Sequence, residues 1–167
     1  MTIHIGERLP DGTLSEFIET ATPGCALGPH TFQVADLVQG KTIVVFGLPG
    51  AFTPTCSARH LPGYVQHADA LKARGVDEIW CVSVNDAFVM GAWGRDQQAT
   101  GIVRMMADGN AAFSTALGLA ADFSKQNMGT RSKRYSMLVV DGVVRQLNVE
   151  TTGFDVSNVE TMLGQLG

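Results

Sequence analysis

TIVVFGLPGAFTPTCSARHLPGY, residues 42–64, changes character twice along its length. Thr42 to Leu48 is a short β-branched apolar run closed by Pro49-Gly50, the pattern of a buried strand ending in a turn. Thr53-Pro54 then signals a helix start: threonine as N-cap, and proline at the first helical position, where a missing N–H costs nothing. Beyond it, Leu61, Tyr64, Val65, Ala68 and Leu71 recur at helical spacing, so a helix is predicted from Ser57 to Arg74. Pro62-Gly63 interrupts that stripe and predicts a kink after a short first segment.

Working outward, Ile79 to Val84 reads as a second buried strand and Val103 to Ala107 as a weaker one. Ser136 to Val140 and Val143 to Leu147 flank Asp141-Gly142, the dipeptide of a two-residue hairpin turn. Asn85-Asp86 can cap a helix over Ala87 to Gln98, and Ala111 to Leu117 reads as a short one. Ser157-x-x-Glu160 is a capping-box pattern opening a last helix that runs through Leu166. The resulting order, β-α-β-α-(β)-α-β-β-α, describes an α/β chain with a central mixed sheet flanked by helices. An early βαβ unit followed by a late hairpin and helix is the layout of a thioredoxin-like fold.

No repeat, low-complexity tract or linker divides the chain, so one domain over residues 1–167 is expected. Twelve Lys and Arg against sixteen Asp and Glu give a net charge of -4, which argues against nucleic acid or an anionic membrane as partner. The N-terminus, MTIHIGERLPDGTL, has neither the basic-then-apolar pattern of a signal peptide nor an anchor, and no apolar run approaches a membrane span. Three cysteines, Cys25, Cys56 and Cys81, include no CxxC and rule out a disulfide scaffold. With four scattered histidines they form no zinc-ligand spacing, and neither metal nor cofactor is expected. Free thiols on an unexported chain suit the cytoplasm.

The chemistry centres on Cys56. Counted from Thr53, it is the third helical residue, inside a first turn whose unpaired N–H groups and positive dipole end favour an anion. A thiol there can drop from ~8.5 into roughly the 3.5–7.5 range and become a nucleophile at neutral pH. The bland alternative is a small buried hydrophobe, as most free cysteines are. His60, four residues on, could face the sulfur as a base, but Pro62 distorts this helix and a low-pKa thiolate needs none, so the residue is read as ordinary. Phe123 and Met128 are candidates to line an apolar mouth.

PGAFTPTCSARHLPGY (49–64) resembles the active-site segment of peroxiredoxins, specifically the peroxiredoxin-5 type. The likeness continues through CVSVNDAFVMGAWG (81–94), RSKRYSMLVVDGVV (131–144) and LNVE (147–150). It implies that Cys56 is the peroxidatic cysteine, that Thr53 hydrogen-bonds the sulfur and the peroxide, and that Pro49 shields the thiolate from water. It also implies that Arg134 is the active-site arginine, a choice over Arg131 that the residues alone do not make. A homodimer, with the active-site loop near the contact, belongs to the same resemblance.

Some members carry a resolving cysteine near the C-terminus; here Glu150 to Gly167 contains none. Cys81, mid-strand between Trp80 and Val82, is expected to be buried and inert, and Cys25, in the turn-like Thr22-Pro-Gly-Cys, to be incidental. The expected cycle is therefore a one-cysteine cycle, with glutathione as co-substrate and glutaredoxin or thioredoxin completing the reduction. Two rivals share the scaffold. A thiol–disulfide oxidoreductase needs a second nearby cysteine, and a redox-sensing chaperone would bind partners whether or not Cys56 was present.

Overall fold

The computed structural model describes residues 1–167. The main sheet contains β1 (Thr13–Ile18), β2 (Gly28–Gln33), β3 (Thr42–Leu48), β4 (Glu78–Ser83), β5 (Arg104–Ala107), β8 (Tyr135–Val140) and β9 (Val143–Val149). Their spatial order is β2-β1-β5-β4-β3-β8-β9, and β6 (Ala120–Asp122) and β7 (Thr130–Ser132) form a separate small hairpin. The β3–β4 and β4–β5 pairs are parallel, and the remaining pairs of the main sheet are antiparallel. This is the mixed thioredoxin-like sheet expected.

Successive residues of the central strands face opposite cores, as a pleated backbone requires. Val44, Phe46 and Leu48 of β3, with Ile79 and Cys81 of β4, pack in one core against α2 (Leu61–Gln66), α3 (Ala68–Ala73), α4 (Ala87–Asp96) and α6 (Val159–Leu166). Ile43 and Val45, with Trp80 and Val82, face a second core closed by α1 (Val34–Val38), α5 (Ala112–Ala116) and the N-terminal segment. A sheet covered on both faces explains why β3 and β4 read as continuous apolar runs. At the β8–β9 turn Asp141 and Gly142 have φ of 48° and 78°, both positive as a tight two-residue hairpin turn demands.

Three local features differ from or sharpen the expectation. The short first segment before Pro62 is a π-turn, Cys56–His60, with the Leu61 N–H donating to the Cys56 carbonyl, and it runs directly into α2. Proline has no N–H for the carbonyl four residues earlier, so widening the preceding turn keeps the helix continuous. The break comes at His67 (φ -105°, ψ 13°), between α2 and α3. The last helix is not opened by a capping box on Ser157. Asn158 is its N-cap, accepting from the Thr161 amide at 2.9 Å, while Ser157 is engaged by Glu150. Finally, the β1–β2 hairpin was not anticipated from sequence.

Candidate active site

The segment after β3 turns sharply at Pro49–Thr53 and enters the helix as expected. The Ser57 amide donates to the Thr53 carbonyl at 2.9 Å, which makes Thr53 the first carbonyl of the helix and places Cys56 in its opening turn. The amides of Thr55 and Cys56 donate to no backbone carbonyl, leaving that turn's positive end unspent beside the sulfur. Cys56 is completely buried.

Two side chains brace the turn. Asn85 accepts from the Ala51 amide at 3.0 Å and from the Ser83 hydroxyl at 2.6 Å. Arg131 donates through Nε to the Met128 carbonyl (2.9 Å) and through Nη1 to the Pro49 carbonyl (3.4 Å). A Cβ at Gly50 would lie 2.9 Å from Arg131 Nη1, so a larger residue there would displace the end of that arginine from Pro49. On the far side of the helix the Trp93 indole N–H donates to the Ser57 hydroxyl at 3.0 Å.

Arg134 reaches the sulfur. Its Nη2 donates to Cys56 Sγ at 3.2 Å and its Nη1 to His60 Nδ1 at 2.9 Å. The guanidinium carbon lies 5.7 Å from the Phe154 ring centre, and that of Arg59 lies 4.8 Å from the same ring. His60, fully buried, donates from Nε2 to the Ser157 carbonyl at 3.1 Å, which also accepts from the Tyr64 hydroxyl at 2.9 Å. A carbonyl only accepts and a guanidinium only donates, so the two partners together assign the neutral tautomer with its proton on Nε2. Burial, reinforced by the neighbouring Arg134 charge, pulls the His60 pKa down to about 3.

His60 is therefore neutral at physiological pH, and its one free lone pair is occupied by Arg134. It is no base for the thiol, yet it is not an ordinary residue either: it orients the arginine. Cys56 and His60, four residues apart, lie on the same side of this turn and share one guanidinium.

The depressed pKa has a stability consequence with a definite sign. The folded state holds His60 unprotonated down to about pH 3, whereas the unfolded chain takes up that proton near 6.5. This contribution is complete above pH 6.5 and is lost progressively on acidification, with a slope approaching ~1.4 kcal/mol per pH unit. Urea unfolding at pH 6.5 and pH 5 should show that slope in the native chain and its loss in His60→Gln. Equal slopes in the two proteins would refute the assignment.

Glu150 lies one step further out. Its carboxylate accepts from the amides of Asp155 (3.0 Å), Val156 (2.9 Å) and Ser157 (2.7 Å) and from the Ser157 hydroxyl (2.6 Å). Burial pushes this carboxyl up, but the hydrogen bonds outweigh it and hold the group below the usual carboxylate range.

Of the residues singled out in the sequence, Cys56, Arg134, Pro49 and Thr53 come together here. One implied contact is not formed. The Thr53 hydroxyl donates its proton to the Gly50 carbonyl at 2.7 Å rather than to the sulfur, because the tight turn sets that carbonyl directly within its reach. Cys81 is buried in β4, and burial, then the nearby Cys56, raises its thiol pKa. Cys25 sits in a turn where its amide and carbonyl exchange 2.9 Å bonds with Thr22. Met128 borders Gly50 beside the site, while Phe123 closes the β6–β7 hairpin through its amide bond to the Gly129 carbonyl (2.7 Å). Sequence reasoning missed Arg131, Phe154 and Ser157 and gave Glu150 no role. Only the LNVE stretch held a signal for one of them.

A cysteine in the first turn of a helix, at the carboxyl end of a central strand of this sheet, defines a thiol-active member of the thioredoxin-like class. Residues 4–163 match the Redoxin family. Peroxiredoxin-2B of Arabidopsis thaliana is 43% identical over 165 residues, covering 98% of each chain. Reduced Prx3 of Vibrio vulnificus, crystallised with hydrogen peroxide, is 49% identical with a TM-score of 0.92, over 99% of this chain and 100% of that one. A Burkholderia cenocepacia crystal structure described as a thioredoxin reductase is 59% identical with a TM-score of 0.98, over 100% and 99% of the two chains. The chain belongs to the peroxiredoxin family, whose members are thiol-dependent peroxidases.

Proposed function

We propose that this protein reduces hydrogen peroxide and alkyl hydroperoxides at Cys56 and is recycled by external thiols, in a one-cysteine cycle of the peroxiredoxin-5 type. The observation that carries the reading is the Arg134 Nη2–Cys56 Sγ contact of 3.2 Å in the opening turn of a helix. A guanidinium and unpaired amides stand against the sulfur, and the same groups face the oxygen that departs. The thiolate attacks one peroxide oxygen, an S–O bond forms, and the O–O bond breaks. Its electron pair leaves on the second oxygen, which takes a proton to give water or an alcohol. Cys56 becomes a sulfenic acid, oxidised by two electrons. In this step Pro49 screens the sulfur from water. Thr53 offers its hydroxyl lone pairs to the peroxide proton, since its own proton is held by Gly50.

Recycling by glutathione, with glutaredoxin or thioredoxin releasing the mixed disulfide, is favoured by the state of the other thiols. Cys81 is buried with its proton firmly held, so dithiol exchange within the chain lacks a second nucleophile. A groove of about 410 Å³ beside Phe154, lined by Arg59, Pro62, His67, Asn158 and Glu160, offers one cation and one anion to a thiol that bears both carboxylate and ammonium groups. A homodimer in the cytoplasm completes the reading, supported by the exposed Phe52 and Phe88 rings and by three free thiols.

The test is rapid mixing of the reduced protein with one equivalent of peroxide, followed by intact mass and peptide mapping. One added oxygen on Cys56 is expected. Oxidation that falls first on Cys25 or Cys81, or no peroxide consumption, would defeat the proposal.

A further inference from the structure

Between β9 and α6 the chain runs without regular structure, yet two of its side groups reach the sulfur's own neighbours. Phe154 lies against both Arg134 and His60, the latter at 4.8 Å between ring centres, and the Ser157 carbonyl receives the His60 proton. Residues 151–153, 155 and 156 are exposed, so apolar burial does not hold this segment in place. What gathers it is one carboxylate. Glu150 Oε2 alone accepts four hydrogen bonds, from the amides of Asp155, Val156 and Ser157 and from the Ser157 hydroxyl, and Oε1 shares the Asp155 amide. The Glu150 amide in turn donates to the Arg134 carbonyl at 2.9 Å, so the clamp and the arginine it serves sit side by side, just past β9 and just before β8.

We propose that Glu150 is a positioning residue for the peroxidatic site: its carboxylate folds the 151–157 segment so that Ser157 fixes His60, and His60 fixes Arg134 on Cys56. This rests on the functional reading above and names a residue through which it works. The chain of contacts has a direction. With Ser157 displaced, the His60 N–H is buried without an acceptor, and a ring free to rotate no longer presents Nδ1 to the guanidinium. Arg134 then keeps its charge but loses one of the two acceptors that hold its fork on the sulfur. A preorganised donor is worth more than a mobile one because the site need not rearrange as charge shifts. Ionised oxygen is needed for the clamp, since charge-assisted hydrogen bonds are about twice as strong as neutral ones.

The experiment compares wild type, Glu150→Gln, Arg134→Met and the double variant. The first readout is the rate of Cys56 alkylation by an uncharged haloacetamide at fixed pH, which reports the sulfur's surroundings without any peroxide. The second is the second-order rate of peroxide consumption. Glu150→Gln should slow both by about tenfold with its thermal unfolding little changed. In the Arg134→Met background the same substitution should change them less than about twofold, the non-additivity of residues acting through one contact. Unchanged rates in Glu150→Gln, or effects that simply multiply, would overturn the inference. Ser157→Ala removes one of the clamp's hydrogen bonds and decides the matter if Glu150→Gln does not fold: a loss of about two- to threefold, absent in the Arg134→Met background, is expected, and none would overturn it. Wild-type protein that consumes no peroxide yet shows the alkylation cycle would sink the functional reading while leaving the positioning role intact.

Discussion

Cys56→Ser is expected to lose peroxide turnover completely, down to the rate of buffer alone, with the fold retained. Serine nearly preserves the shape of the residue inside its buried pocket. What disappears is the chemistry, because an alkoxide is not accessible near neutral pH and oxygen cannot form the sulfenic acid that carries the cycle. The comparison that gives this result force is with the other two thiols. Cys25 lies in a surface turn and Cys81 in a strand interior, and neither contacts Arg134 through a hydrogen bond. Turnover with glutathione and glutaredoxin should stay within about twofold of wild type in Cys25→Ser, since surface substitutions away from such features do little. Cys81→Ser buries a hydroxyl and should cost about 1–3 kcal/mol of stability without removing activity. A loss in Cys81→Ser as deep as that in Cys56→Ser, in protein shown to be folded, would mean the wrong sulfur has been assigned.

Arg134→Met should be the next most damaging change, lowering the second-order rate with hydrogen peroxide by about 10²–10³, the scale seen when one preorganised donor is removed from a developing oxyanion. The two hydrogen bonds of 3.2 and 2.9 Å show that the guanidinium is used as a fork. Lysine supplies the charge but not the fork, so Arg134→Lys should fall in between, at about a tenfold loss. The role divides into holding the sulfur and stabilising the leaving oxygen, and the two parts separate experimentally. Alkylation by an uncharged haloacetamide, which has no departing peroxide oxygen, should slow less in Arg134→Met than peroxide consumption does. Equal losses in both rates would leave Arg134 with the first part alone.

The residues that announced this site did so because local rules governed them. Thr53-Pro54 starts a helix whatever surrounds it, and β3 and β4 read as buried because both faces of the sheet are covered. Asp141-Gly142 could serve only a turn of positive φ. The misses share the opposite cause. TLSEFI and GPHTFQ, the strands β1 and β2, are largely half-buried or exposed, the second opens on glycine and proline, and their pairing is with neighbours that an apolar pattern does not announce. Ser157-x-x-Glu160 matched a capping box, but the Glu150 carboxylate just past β9 outcompeted the local bond, a partner that spacing along the chain cannot reveal. Arg131 and Arg134 were indistinguishable in the sequence because their difference is one of direction: one reaches back to Pro49, the other inward to the sulfur. The role of His60 was hidden by the π-turn, a widening that helical spacing along the chain does not announce.

Cys56 presents no surface to solvent in the folded chain. In this state nothing as large as a water molecule touches the sulfur, so a peroxide and an external thiol alike must wait for the Cys56 turn to open. The opening frequency of that turn then acts as a gate on each half of the cycle. The protein's throughput would be capped by that internal clock at saturating reductant, however reactive the sulfur itself is.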